Sequence, residues 1–186
     1  MQQKWDLRLS GTGGQGLILG GIILASAAVV DGYNAVQSQS YGPEARGGAS
    51  KAEVIISTEA IFYPKVGDAD IFLAMSQAAY EKYSGQIKEE TIIIIDSTLV
   101  KELKGAHRGK YYPVPITGLA KKETGREMTA NIVALGVIMG ITHVVSEGAL
   151  KKAVLARIPA GTEELNMKAL NAGIQAGITA TPSQAG

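Results

Sequence analysis

Short apolar runs alternate with glycine-rich breaks through the first half of the chain, and the second half turns to helical spacing. Trp5-Asp6-Leu7-Arg8-Leu9 alternates with the period of two that marks a strand. A glycine-rich turn follows, and Leu17 to Val30 then runs on Leu, Ile and Ala as an apolar helix that Asp31-Gly32 ends. Asn34 to Ser40 and Ala49 to Ser57 read as two strands. Between them lies Tyr41-Gly42-Pro43-Glu44-Ala45-Arg46-Gly47-Gly48, where proline and glycine exclude regular structure. That segment is too short for a helical crossover, so the spacing predicts an antiparallel excursion rather than a parallel pair. Ile71 to Met75 is a short buried strand, with Ser76 as N-cap of a helix to Tyr83. Thr91 to Ile95 carries four consecutive isoleucines, apolar on both faces and suited to the middle of a covered sheet. Tyr111 to Pro115 holds two prolines and reads as an edge strand.

From Thr117 the pattern is helical. Thr129 is placed to cap an apolar helix through Asn131 to Gly140, in which Gly136 and Gly140, one turn apart, admit another backbone. Two more helices, Glu147 to Arg157 and Thr162 to Ala176, are divided by Pro159 and Gly161, and Ile178 to Gly186 reads as a polar, frayed tail. The expected fold is α/β: a Rossmann-like layered sheet with helices, a non-standard strand-loop-strand excursion and a helical C-terminal half. One domain is expected over residues 1–178, with 179–186 as a flexible tail.

Composition narrows the function. The 186 residues suit one domain with a real core, and 46% of them are apolar. Eighteen basic against seventeen acidic side chains leave a formal charge of +1, too little for a global field toward nucleic acid or an anionic membrane. Any anion site must therefore be local. With no cysteine, the chain holds no disulfide, no thiolate zinc site and no cysteine-ligated iron–sulfur cluster. Leu17 to Val30 is too short to span a bilayer, which takes about 20 residues, and it follows a polar turn rather than a basic leader. A soluble, cytoplasmic protein is expected.

The first candidate chemistry lies in Gly11-Thr12-Gly13-Gly14-Gln15-Gly16, which opens the first helix. A strand, a glycine-rich turn and a helix together expose backbone N–H groups where the helix dipole favours a phosphate or carboxylate. The same residues also suit a tight turn with close helix–sheet packing and no ligand. The spacing satisfies G-x-G-x-x-G, but a dinucleotide site needs an acidic residue at the end of the second strand. Asp31 falls before that strand as a helix stop, and no carboxylate follows until Glu44. The Lys-Ser/Thr pair of a nucleotide P-loop is missing as well. The second candidate is Gln37 to Glu53, two polar strands around a tip with Tyr41 at its base and Glu44 and Arg46 upon it. It is either a solvated hairpin or a subunit or ligand contact. His107, in a loop, and His143, read as a core histidine in an apolar helix, form no catalytic grouping. No H-E-x-x-H or nucleophile elbow appears.

G-T-G-G-Q-G followed by S-Y-G-P-E-A-R-G-G and a strand beginning A-S-K-A-E-V-I-I-S resembles the gamma subunit of 2-oxoacid:ferredoxin oxidoreductases, the 2-oxoglutarate type in particular. The likeness runs from about Leu7 to Gly177 and includes Tyr63-Pro64, Ser76-Gln77 and Asn131. It implies a chain without catalytic residues of its own. Alpha and beta partners, with a ferredoxin-like delta subunit beside them, would make up the complex, and these partner subunits would hold thiamine diphosphate, magnesium and the iron–sulfur clusters. Ferredoxin would accept electrons through the complex and coenzyme A the acyl group. On that basis Gly11, Gly13, Gly14 and Gly16 would present N–H groups to an anionic part of coenzyme A, with Gln15 orienting the turn or touching the ligand. Tyr41, Gly42, Pro43, Glu44, Arg46 and Gly47 would face the partner subunits near the active site. Gamma subunits of pyruvate, branched-chain 2-oxoacid or indolepyruvate enzymes share much of this pattern. An NAD-dependent oxidoreductase and a noncatalytic scaffold are the alternatives outside the family.

Overall fold

The computed structural model describes residues 3–39, 48–103 and 109–183. In chain order the strands are β1 (Lys4–Thr12), β2 (Asn34–Gln39), β3 (Ala49–Ser57), β4 (Ala69–Ala74), β5 (Ile87–Asp96) and β6 (Lys110–Val114). They form one sheet in the order β2-β3-β1-β4-β5-β6. β1, β4, β5 and β6 run parallel, whereas β3 pairs antiparallel with both β1 and β2, as the short connection requires. The proline-bearing β6 closes one edge and β2 the other.

The helices are α1 (Leu17–Val30), α2 (Gln77–Tyr83), α3 (Ile116–Thr124), α4 (Ala130–Thr142), α5 (Glu147–Leu155) and α6 (Glu163–Thr179). Leu7, Leu9, Val54, Ile71, Leu73 and Ile94 turn one sheet face toward α1 and the C-terminal helices. The opposite face buries Phe72, Ile93, Ile95 and Tyr111 against Ala79, Tyr80 and Tyr83 of α2. Ser76 caps α2 through a bond from Ala79 N–H to its Oγ, as its position predicts. Burial, reinforced by the Tyr111 hydroxyl 3.4 Å away, pushes the Tyr80 hydroxyl well above its ordinary range, so both rings serve as core.

α4 and α6 cross closely. A Cβ at Gly136 or Gly140 would run into the backbone of α6, and one at Gly173 or Gly177 into that of α4. Four glycines thus remove the side chains that would hold the helices apart.

Several expectations change. Thr129 does precede α4, but its side chain does not cap it: Oγ1 pairs instead with Thr124 Oγ1 and Arg126 O, each at 2.9 Å. His143 is not a core residue. It ends α4 in the left-handed region at φ 50° and is exposed. α6 continues through Ile178 to Thr179, and Ser183 N–H then donates to Tyr111 O at 2.8 Å beside β6.

Arg8 is the largest surprise. Strand alternation puts it on the polar side of β1, yet it is 1% exposed. Its Nε donates to Glu53 Oε1 at 2.9 Å, and its remaining nitrogens donate to the carbonyls of Gln86, Val66 and Gly67. Lys51 Nζ reaches the same Glu53 oxygen at 2.8 Å.

Candidate functional site

The parallel strands all end at one sheet edge, and there the connections diverge. β1 feeds α1 on one face, while β4 feeds α2 on the other. Such a switch point leaves a crevice between neighbouring strand ends, the usual ligand position in open α/β sheets. Here the crevice is bridged from within. Gln15 Oε1 accepts from Thr12 N–H at 2.7 Å, and Gln15 Nε2 donates to Met75 O, just beyond β4, at 2.9 Å. Met75 N–H in turn donates to Ser10 O at 2.8 Å.

The turn itself needs glycine at Gly14 (φ 90°) and Gly16 (φ 70°), conformations that a side chain disfavours. Gly13 and Gly14 are exposed, and Gly16 opens α1 with no side-chain cap. No side chain caps the first turn of α1, which leaves its N–H groups without a side-chain acceptor there. Gly11 does not belong to this set. It stands within the β1–β3 ladder opposite Ser50, and a Cβ there would collide with Gln15 Oε1. Its smallness makes room for the glutamine, whose carboxamide is turned inward. Gly21 serves close packing of α1 on the sheet, since a Cβ there would lie 3.2 Å from Ala52 Cβ.

Asn131, at the start of α4 and 7% exposed, underlies the turn. Its Nδ2 approaches Gly16 O at 3.4 Å, and a Cβ on Gly16 would lie 2.6 Å from that nitrogen. Gly16 thus answers both to its backbone angle and to Asn131.

Tyr41, Gly42, Pro43, Glu44, Arg46 and Gly47 lie outside the described residues, as does His107. The strands on either side of the tip are fixed: Gln39 pairs with Ala52, and Ala49 with Thr12, so β2 ends and β3 begins at the edge that carries the glycine turn. A dinucleotide reading finds no support in this geometry. Asp31 sits at the far end of α1, about 20 Å along the helix from the turn. There its two oxygens accept from Ser146 N–H and Oγ–H, each at 2.6 Å, at the start of α5. β2 ends on Ser38 and Gln39, with no carboxylate.

Elsewhere at the same edge, Asp96 is fully buried and satisfied by donors from Thr98 N–H, Thr117 N–H and Thr117 Oγ1. It fastens the end of β5 to α3. At the opposite end, the Asp70 carboxylate 2.7 Å from Lys88 Nζ holds that ammonium above its usual range, outweighing partial burial. No helix among the described residues is long and apolar enough to cross a membrane.

The model of the pyruvate ferredoxin/flavodoxin oxidoreductase family matches residues 6–176. The chain is 46% identical to 2-oxoglutarate synthase subunit KorC of Methanocaldococcus jannaschii over 94% of its own length and 95% of that protein's. It superposes with a TM-score of 0.89 on the gamma subunit of a keto/oxoacid ferredoxin oxidoreductase from Geobacter sulfurreducens, at 46% identity, covering 97% and 99% of the two chains. A further likeness, in fold alone at 24% identity and TM-score 0.84, is to the 2-oxoglutarate:ferredoxin oxidoreductase of Magnetococcus marinus, solved with 2-oxoglutarate, coenzyme A and succinyl-CoA bound. It covers 98% of this chain and 32% of that one.

Proposed function

Since the chain belongs to the pyruvate ferredoxin/flavodoxin oxidoreductase family and is a gamma-type subunit of a 2-oxoacid:ferredoxin oxidoreductase, we propose that its complex acts on 2-oxoglutarate in the cytoplasm. The observation that carries this choice of 2-oxoacid is the near-full-length identity with a 2-oxoglutarate synthase subunit. In the reaction the bond between the carboxylate carbon and the keto carbon breaks and carbon dioxide leaves. The keto carbon bonds to the coenzyme A sulfur, whose proton is released, and becomes the thioester carbonyl of succinyl-coenzyme A, while two electrons pass to ferredoxin.

Thiamine diphosphate, held with magnesium by alpha and beta partners, supplies the electron sink for that cleavage. The iron–sulfur clusters belong to partner subunits, among them a ferredoxin-like delta subunit, because this chain has no cysteine to ligate them. What this chain contributes is placement. The exposed turn at Gly13, Gly14 and Gly16 receives a phosphate of coenzyme A, supported by the uncapped start of α1 and by the coenzyme bound in the Magnetococcus enzyme. Gln15 orients the turn, as its two bonds to the strand ends favour. Tyr41, Glu44 and Arg46 face the catalytic partners from the adjacent tip.

The test is ferredoxin reduction by the complex co-expressed with its partner subunits, offered 2-oxoglutarate, pyruvate, 2-ketoisovalerate or indolepyruvate with coenzyme A. A kcat/KM for 2-oxoglutarate about tenfold or more above the others is expected, a margin that a dedicated carboxylate contact supplies. Preference for another 2-oxoacid would overturn the substrate assignment. Recovery of this chain without thiamine-binding partners in a native pull-down would overturn the assembly.

A further inference from the structure

The segment that follows β5, residues 97–103, belongs to no helix or strand, yet it is fastened along its length. Every backbone N–H from Ser97 to Glu102 finds an acceptor. Ser97 N–H donates to Val114 O at 3.0 Å, and Leu99 and Val100 N–H donate to Asp96 O at 3.0 and 2.8 Å. Thr98 N–H donates to Asp96 Oδ1 at 3.0 Å. Gln77, the first residue of α2, completes the set. Its Oε1 accepts from Lys101 and Glu102 N–H at 2.9 and 3.1 Å, and its Nε2 donates back to Glu102 O at 2.8 Å. One carboxamide thus satisfies successive peptide groups as a neighbouring strand would.

Val100 is buried in the cluster that holds Tyr80 and Ile95, whereas the leucines on either side of it stay outside. Leu99 and Leu103 are 40% and 38% exposed. A lone exposed leucine is ordinary, but two on one clamped segment offer apolar area whose backbone is already ordered, so little entropy is lost when a partner covers it. In the sheet β5 stands two strands from β1, which puts the segment about 10 Å along the edge from the glycine turn. The two places are also linked. Gln15 holds Met75 O, and two residues later Gln77 holds Glu102.

We propose that residues 97–103 form a docking ridge for the partner subunit that carries thiamine diphosphate, with Gln77 as its positioning residue. The proposal rests on the reading that this chain works in a complex whose thiamine-bearing subunit holds the reacting carbon and faces this edge. A subunit that comes close enough to the turn to receive a substrate from it must also meet Leu99 and Leu103. A second copy of this chain seated on the ridge would keep that subunit away from the turn. The two leucines supply the apolar centre that a specific interface needs, and Gln77 acts on the partner only through the backbone it holds.

The test reads release of this chain from the co-expressed complex on dilution, by mass photometry. Leu99→Ser and Leu103→Ser are each expected to raise its Kd by about tenfold or more. Gln77→Met, which keeps the length but neither the donor nor the acceptor, should raise it about fivefold with both leucines in place. Val30→Ser, at the far end of α1 and 46% exposed, should change it less than about twofold. Tm of the chain alone should stay within about 4 °C throughout, which separates docking from folding. Because the chain has no cysteine, Lys101→Cys, between the leucines, gives a single point for a benzophenone maleimide. Its cross-link in the complex is expected on the thiamine-binding subunit. Leucine variants that behave like Val30→Ser, or a cross-link to a delta subunit or a second copy, overturn the proposal and leave the complex as read. Unchanged association in Gln77→Met overturns its positioning role. A complex without a thiamine-binding subunit overturns both the proposal and the reading beneath it.

Discussion

Replacing Arg8 with methionine is expected to cost about 3–5 kcal/mol of folding stability, the range for breaking one partner out of a buried ion pair. Methionine fills much of the arginine stem's volume, so the loss is electrostatic rather than a cavity effect. Glu53, 8% exposed, keeps Lys51 but loses its buried partner, and the carbonyls of Val66, Gly67 and Gln86 lose their donor together. For a domain of this size, Tm should fall by roughly 10 °C. Arg8→Lys preserves the charge but cannot span acceptors on separate segments, so it should be intermediate. Chemical denaturation of the chain alone measures all of this. A loss under about 1 kcal/mol for Arg8→Met would mean that the network is not what ties the segment after β3 to the start of β5.

The second large effect comes from one methyl group. In an exposed helix Gly→Ala gains up to about 1 kcal/mol from propensity, and the same change at Gly136 should do the reverse. Its Cβ would meet Leu170 O, Ile174 N and Gly173 C, all backbone atoms that side-chain rotation cannot clear. Overpacking of this kind costs about 1–3 kcal/mol, and more where a helix must shift, so Gly136→Ala should lose at least about 2 kcal/mol net. Gly148, in α5, has open space around its Cβ position, and Gly148→Ala should be neutral or mildly stabilising. Equal responses at the two positions in thermal denaturation would refute the close crossing of α4 and α6.

These features differ in how far the sequence announces them. The spacing of Gly136 and Gly140 signals a close neighbour, but nothing local identifies it as Gly173 and Gly177 on a helix more than thirty residues away. β4, α2 and the isoleucine strand are legible because a buried run, a capping serine and β-branched residues act within a few positions of one another. Arg8 is misleading for the opposite reason. Alternation assigns it to the polar side of β1, and that side is covered by the irregular segment after β3, whose carbonyls need a donor. His143 is misread because an apolar run says little about where its helix stops. At the site, the positive φ angles of Gly14 and Gly16 are what glycine signals, whereas at Gly11 glycine makes room for a neighbour. The support beneath the turn is illegible in one dimension, since Asn131 and Gly16 meet only through the packing of α1 against α4.

The inward-turned Gln15 has a thermodynamic consequence. A loop that a ligand must organise lowers that ligand's affinity by the entropy of ordering it. Here the carboxamide joins the ends of β1 and β4, so the chain supplies that ordering when it folds. If the turn takes an anion as proposed, the association should show a small entropic penalty and little change in backbone mobility. The same glutamine occupies the crevice where a flat ring would enter between the strand ends. One side chain thereby fixes the turn and fills the space between the ends of β1 and β4.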